Sequence, residues 1–163
     1  MPRLKITPII PQNIPQTAEY MKAIRDAFRK TMKLAEQDYK SSVNTWEHKP
    51  KFEFIEQEGK NYKITVGTND NIFGWVDKGT KPHRIPKFGS KYLRFSSGYR
   101  AKTRVGIIGS NPGGAFGATV SAMSVQHPGT AARKFTVTIR KRRQVTMEQE
   151  VSHAVAKVNR TQK

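Results

Sequence analysis

No carboxylate occurs between Asp77 and Glu148, and residues 81–163 carry 17 lysines and arginines against only two acids, Glu148 and Glu150. A stretch so unbalanced cannot lace its own surface with ion pairs. It repels itself, and it needs the acids of the first half, a polyanion or an acidic protein surface to offset that cost. The first half is nearly balanced, with nine basic and five acidic side chains in residues 1–50 and four and five in residues 51–80, so the net charge of +18 belongs to the second half. With 163 residues, one domain is expected. The chain has no cysteine, which excludes disulfides and thiolate metal sites and suits a reducing cytoplasm. No secretory pattern follows Met1 and no apolar run is long enough to span a bilayer, so a soluble protein is expected.

Periodicity gives an α+β fold, an antiparallel β-sheet packed against a long N-terminal helix and a C-terminal helix, with long loops. Residues 1–16 read as an extended arm, punctuated by Pro2, Pro8, Pro11 and Pro15 and carrying Ile6, Ile9, Ile10 and Ile14. Such an arm can fold back on its own domain or reach a neighbour. Residues 17–163 form the single domain. Its first element is an amphipathic helix over 17–46, in which Met21, Ile24, Phe28, Met32, Ala35, Tyr39 and Val43 recur at intervals of three and four, with Thr17 as N-cap. Residues 51–57 and 61–67 read as strands joined by a turn at Glu58-Gly59-Lys60, and 72–77 reads as a third strand in a meander. Residues 78–131 are rich in loops and glycine. The segment after Thr146 is helical; 135–145, with its β-branched residues, is assigned to helix over strand.

Enzymatic constellations are missing. His48, His83, His127 and His153 have no partner at metal-ligand spacing, no nucleophile-elbow pattern surrounds a serine, and the acid-free middle lacks the carboxylates of a general acid–base pair. The segment Gly109-Ser110-Asn111-Pro112-Gly113-Gly114 lacks the Gly-Lys-Ser/Thr ending of a phosphate loop and reads as a flexible hairpin tip or contact loop. No catalytic, cofactor-binding or metal-binding residue is assigned.

A more informative series runs Gly74-Trp75-Val76-Asp77-Lys78-Gly79-Thr80-Lys81-Pro82-His83-Arg84-Ile85-Pro86. It continues with Tyr92-Leu93-Arg94-Phe95 and ends in His127-Pro128-Gly129-Thr130 before Ala131-Ala132-Arg133-Lys134-Phe135. Physically, Gly79 suits a positive φ where an element ends and Pro82 fixes the chain beyond it. His83 and His127 each adjoin a proline in a turn, where an imidazole commonly bonds backbone. If the two turns lie together, each histidine could lock the other's loop. Gly79, Pro82, His83, His127, Pro128 and Gly129 are therefore structural-turn residues.

In order and spacing this series resembles the tail-completion, or head–tail joining (neck), family of tailed bacteriophages, to which the tail protein Z of phage lambda is akin. The resemblance covers about residues 17–158. It implies a structural virion protein made in the host cytoplasm. Such a subunit belongs to a homo-oligomeric ring, commonly a hexamer, between the head-side connector or stopper and the tail terminator or tail tube, with an axial passage for DNA. On that reading Arg140, Lys141, Arg142 and Arg143, together with Arg100, Lys102 and Arg104, are assembly contacts toward an acidic neighbouring ring, with non-specific contact to genomic DNA as the other target. The charge alone also fits two alternatives, a free nucleic-acid-binding protein and a small basic nuclease whose base would be His83 or His127.

Overall fold

The computed structural model describes residues 3–4, 15, 17–57, 62–89 and 91–161. Most of the arm and the Glu58-Gly59-Lys60 turn lie outside the described residues. The apolar stripe at intervals of three and four does make a helix, α1 (Ala18–Ser42), and a second long helix, α3 (Phe135–Thr161), closes the chain. The two run antiparallel. Tyr20 near the start of α1 donates to Asn159 near the end of α3, Lys30 meets Glu150 at 2.8 Å, and Asp38 meets Arg143. Against α1 lies a three-stranded antiparallel sheet in the order β1-β3-β2, from β1 (Arg3–Leu4), β2 (Glu53–Gln57) and β3 (Lys63–Gly67). Arg3 and Leu4 pair with Gly67 and Val66, so this part of the arm completes its own domain's sheet. The fold is α+β.

The expected third strand over 72–77 is instead a helix, α2 (Asn71–Lys78). The Asp70 carboxylate accepts the Phe73 N–H at 2.8 Å, which caps the first turn. Helical winding then sends Phe73 inward and leaves Ile72 and Trp75 outside, 43 % and 58 % exposed. Phe73 is fully buried at the centre of an aromatic cluster, stacked on Phe135 with ring centroids 5.7 Å apart and edge-on to Tyr39 and Phe52 at 5.7 and 5.3 Å. Burying one such side chain stabilises by about 1.5–3 kcal/mol, and a strand would have wasted it, because Trp75 and Phe73 would then share a face. Burial pushes the Asp70 carboxyl up, but the Phe73 N–H and the His48 imidazole outweigh it and hold the group below the usual carboxylate range.

Residues 135–145 are helical, as expected, and continuous with the rest of α3. The reason is a buried stripe at every fourth residue: Phe135, Ile139, Arg143, Met147 and Val151. One member of the stripe is a cation. Its guanidinium forks onto the Asp38 carboxylate of α1 through Nε and Nη2 at 2.6 and 2.7 Å, with both residues buried. On the sheet side, the Arg29 guanidinium grips Glu56 of β2 and holds its carboxyl below the usual range, aided by the Tyr62 hydroxyl.

Removing the carboxylate at Asp38 leaves Arg143 charged and uncompensated in the helix interface. Asp38→Ala is expected to lower the unfolding free energy by about 3–5 kcal/mol, measured by urea denaturation; a loss below about 1 kcal/mol would contradict the buried pair. Because the folded Asp70 carboxyl titrates below its unfolded value, its stabilisation is complete above the ordinary carboxylate pKa of about 3.9 and fades as pH falls through the lower folded value. Asparagine keeps the cap without the charge, so Asp70→Asn should flatten this part of the acid limb in pH-dependent melting.

Candidate assembly interface

α2 and α3 are joined by backbone before any other chain intervenes. Val76 O accepts Arg133 N–H and Asp77 O accepts Lys134 N–H, both at 3.0 Å. The Asp77 carboxylate then caps α3, accepting Thr136 N–H at 3.0 Å and Thr136 Oγ1–H at 2.8 Å. Lys134, at φ 59°, makes the left-handed turn that lets the helix start there.

Immediately beyond Asp77 the two turns singled out in the sequence come together. Thr80 and Thr130 exchange both backbone hydrogen bonds, at 2.9 and 3.1 Å. Gly79, at φ 78°, presses on this pair so closely that a Cβ would stand 2.6 Å from Thr130 O; a Cβ on Gly129, at φ 86°, would collide with Thr80 O. Each turn needs its glycine because the other turn occupies the space. From this neck run β4 (His83–Pro86) and β7 (Ser124–His127), paired antiparallel with His83 opposite His127. The two rings lie 5.0 Å apart, tilted by 31°. Each histidine locks its own turn and not the other's: His83 Nδ1–H donates to Lys81 O at 2.9 Å, and His127 Nδ1 accepts Gly129 N–H at 3.0 Å. Pro82 and Pro128 are exposed beside them.

Past an elbow at residues 87–92, where Lys87 N–H meets Met123 O at 2.8 Å, the ribbon continues as the hairpin β5 (Leu93–Arg100) and β6 (Gly114–Ala122). The ribbon doubles back at the elbow, because Tyr99, Ala115, His127 and Thr130 all line one cleft of about 570 Å³ that also touches Trp46 and Val76. The glycine-rich segment after Arg100 is therefore no projecting tip. It is stitched to the end of α1, with Thr45 N–H on Ser110 Oγ and Thr45 Oγ1–H on Asn111 O, each at 3.1 Å, and Gly106 N–H on Arg133 O at 3.0 Å. The elbow is the exposed end: Phe88 is 90 % exposed and Tyr92 and Met123 more than half exposed.

The expected basic contacts divide. Arg140, Lys141 and Arg142 lie exposed on α3, whereas Arg143 is a core residue and leaves the surface run. Arg100 and Arg104 are exposed and share a hollow with Arg133; the Lys102 ammonium turns back to Glu47 at 3.3 Å. Sequence reasoning passed over Asp38 and Asp77. The signal for Asp38 was Arg143 itself, an arginine inside an every-fourth apolar stripe. That for Asp77 was its place as the last acid before the basic half. Among the described residues no group of three or more His, Asp or Glu side chains is disposed to hold a metal ion, and no helix is long and apolar enough to cross a membrane.

No known family model matches the chain, and neither does any curated protein or solved structure.

The mutual fit of the two glycine turns makes a direct test. Gly129→Ala should open the neck, raising amide hydrogen exchange at Thr80 and Thr130 while leaving α1 protected, and destabilise the chain by more than about 1 kcal/mol. Unchanged exchange at those two amides would show that the turns are not interlocked.

Proposed function

We propose that this chain is a structural subunit of the head–tail junction of a tailed bacteriophage, one copy of a ring that joins the tail to the DNA-filled head and leaves an axial passage for DNA. The observation that carries this reading is the meeting of the two motif turns. Gly79-Thr80 and Gly129-Thr130, far apart in sequence, interlock to hold a long two-part ribbon out from the helical core. The series that resembles the head–tail joining family thus marks a mechanical element, a rigid neck with an exposed ribbon beyond it. The exposed cations of α3 and the ribbon support a second feature of the reading: positive charge oriented outward, where it speeds and aligns docking on an acidic neighbour.

A second reading, sequence-independent binding of nucleic acid, is favoured by the same uncompensated charge. It predicts duplex affinity that falls with salt at a logarithmic slope of about −0.9 per phosphate neutralised.

A phage genome lacking this gene should accumulate DNA-filled heads and free tails by negative-stain electron microscopy. Reversing Arg140, Lys141 and Arg142 to glutamate, with Arg143 left intact to preserve the core, should give the same separated parts. Normal virions from the deletion would overturn the reading, and normal virions from the charge reversal would remove the α3 run from assembly.

A further inference from the structure

The β5·β6 hairpin is amphipathic, and its apolar face is open. The register sets Leu93 opposite Ala122, Phe95 opposite Val120 and Tyr99 opposite Ala115, and strand alternation puts all six on one face. Arg94, Ser96 and Arg100, opposite Ser121, Thr119 and Gly114, occupy the other. The β-bulge between the Ser96 and Gly98 pairs keeps this division intact on both sides, with Gly117 at φ 83° supplying the extra residue of β6. Beyond it, Phe116 lays its ring over Gly98, where a Cβ would stand 2.5 Å from the ring.

Within the chain this apolar face goes largely unused. Neither helix nor any other strand makes more than marginal contact with the hairpin. Phe95 and Val120 are each 38 % exposed and Tyr99 68 %. A two-stranded hairpin gains independent stability by packing one face, and here the face suited to packing is the uncovered one.

We propose that this face is the docking surface for an acidic protein partner, whose apolar patch covers Leu93, Phe95, Tyr99 and Val120 and whose carboxylates meet Arg94 and Arg100. The inference rests on the junction reading and names the surface and the partner's chemistry within it. Charge selects the occupant: the hairpin carries cations and no acid, so an acidic surface gains where a second copy at +18 is repelled. Apolarity excludes the remaining polyanion. Duplex DNA offers phosphates for Arg94 and Arg100 but nothing to bury four apolar side chains against. Because those side chains are exposed in the free chain, replacing them changes docking without removing a core contact.

The test is in vitro completion. Heads and tails from phage lacking the gene are mixed with the purified full-length chain, and infectious particles are counted. Phe95→Ser/Val120→Ser and Arg94→Glu/Arg100→Glu should each melt like the wild type by circular dichroism and each lower the yield about tenfold or more, with wild-type completion also falling as salt rises. Should the serine pair melt early, the arginine pair alone decides. Wild-type yield from both variants would overturn the hairpin proposal while leaving the junction function standing; no completion by the wild-type chain would overturn the junction function first. Loss confined to the arginine variant, in step with lost duplex binding, would make DNA the occupant. A wild-type oligomer that both variants dissociate on light scattering would make it a second copy. Either result overturns the proposal.

Discussion

The Asp77 carboxylate ties the two halves of the molecule together. It ends α2, and by accepting both the amide and the hydroxyl of Thr136 it also starts α3, so one side chain fixes the angle between the short helix and the long one. Phe73 and Phe135, each four residues or fewer from that junction, stack because of it. Two residues later Gly79 enters the neck, which therefore leaves the core in a set direction. Without this cap the ribbon would still pair with itself, but nothing would orient it on the helices.

The same logic explains where the acids went. Asp38 is buried against Arg143, Asp77 against the start of α3, Asp70 at the start of α2 and Glu56 in the fork of Arg29. Each lies in the first half of the sequence, and each is engaged inward, on a helix terminus or a cation of the core. Placing carboxylates at helix N-termini and opposite a buried guanidinium is where they stabilise most. The consequence is that few are left at the surface to balance the lysines and arginines of the second half, and the outward excess of positive charge follows from how the core is held together.

How much of this was legible in the sequence depended on whether an element packs on the core. α1 and the β2–β3 pair were readable because burial imposes periods of three to four and of two on their apolar residues. α2 was misread as a strand: Ile72-Phe73-Gly74-Trp75-Val76 has the β-branched and aromatic composition of one, and the decisive sign was Asp70 standing three residues before Phe73, a cap geometry that composition does not encode. α3 was readable as a helix, yet its arginine run misled, because a cluster of four cations looks uniformly solvated while the period of four takes Arg143 inside. The ribbon was hardest. Its strands pair across more than forty residues at the neck, its alternation is broken by the bulge at Gly117, and no core demands that its pattern be regular. The two glycine turns were visible as turns, but their interlocking is a fact of three dimensions alone.

The hairpin's exposure does not make it loose. One end is clamped by the neck, where Thr80 and Thr130 exchange backbone bonds, and the other is stitched to α1 through Thr45, Ser110 and Asn111 and through the Lys102–Glu47 contact. Between these anchors the strands satisfy one another's backbone groups, so conformational entropy has been lost in folding and is not lost again on binding. An apolar surface that must be both uncovered and ordered is hard to build on a free loop, which would collapse onto the nearest hydrophobic neighbour. Bending the ribbon at the elbow solves this by returning its far end to the helical core while the middle of the apolar face stays turned to solvent. The cost is that this surface must rely on its flanking arginines and its short span to stay soluble until something covers it.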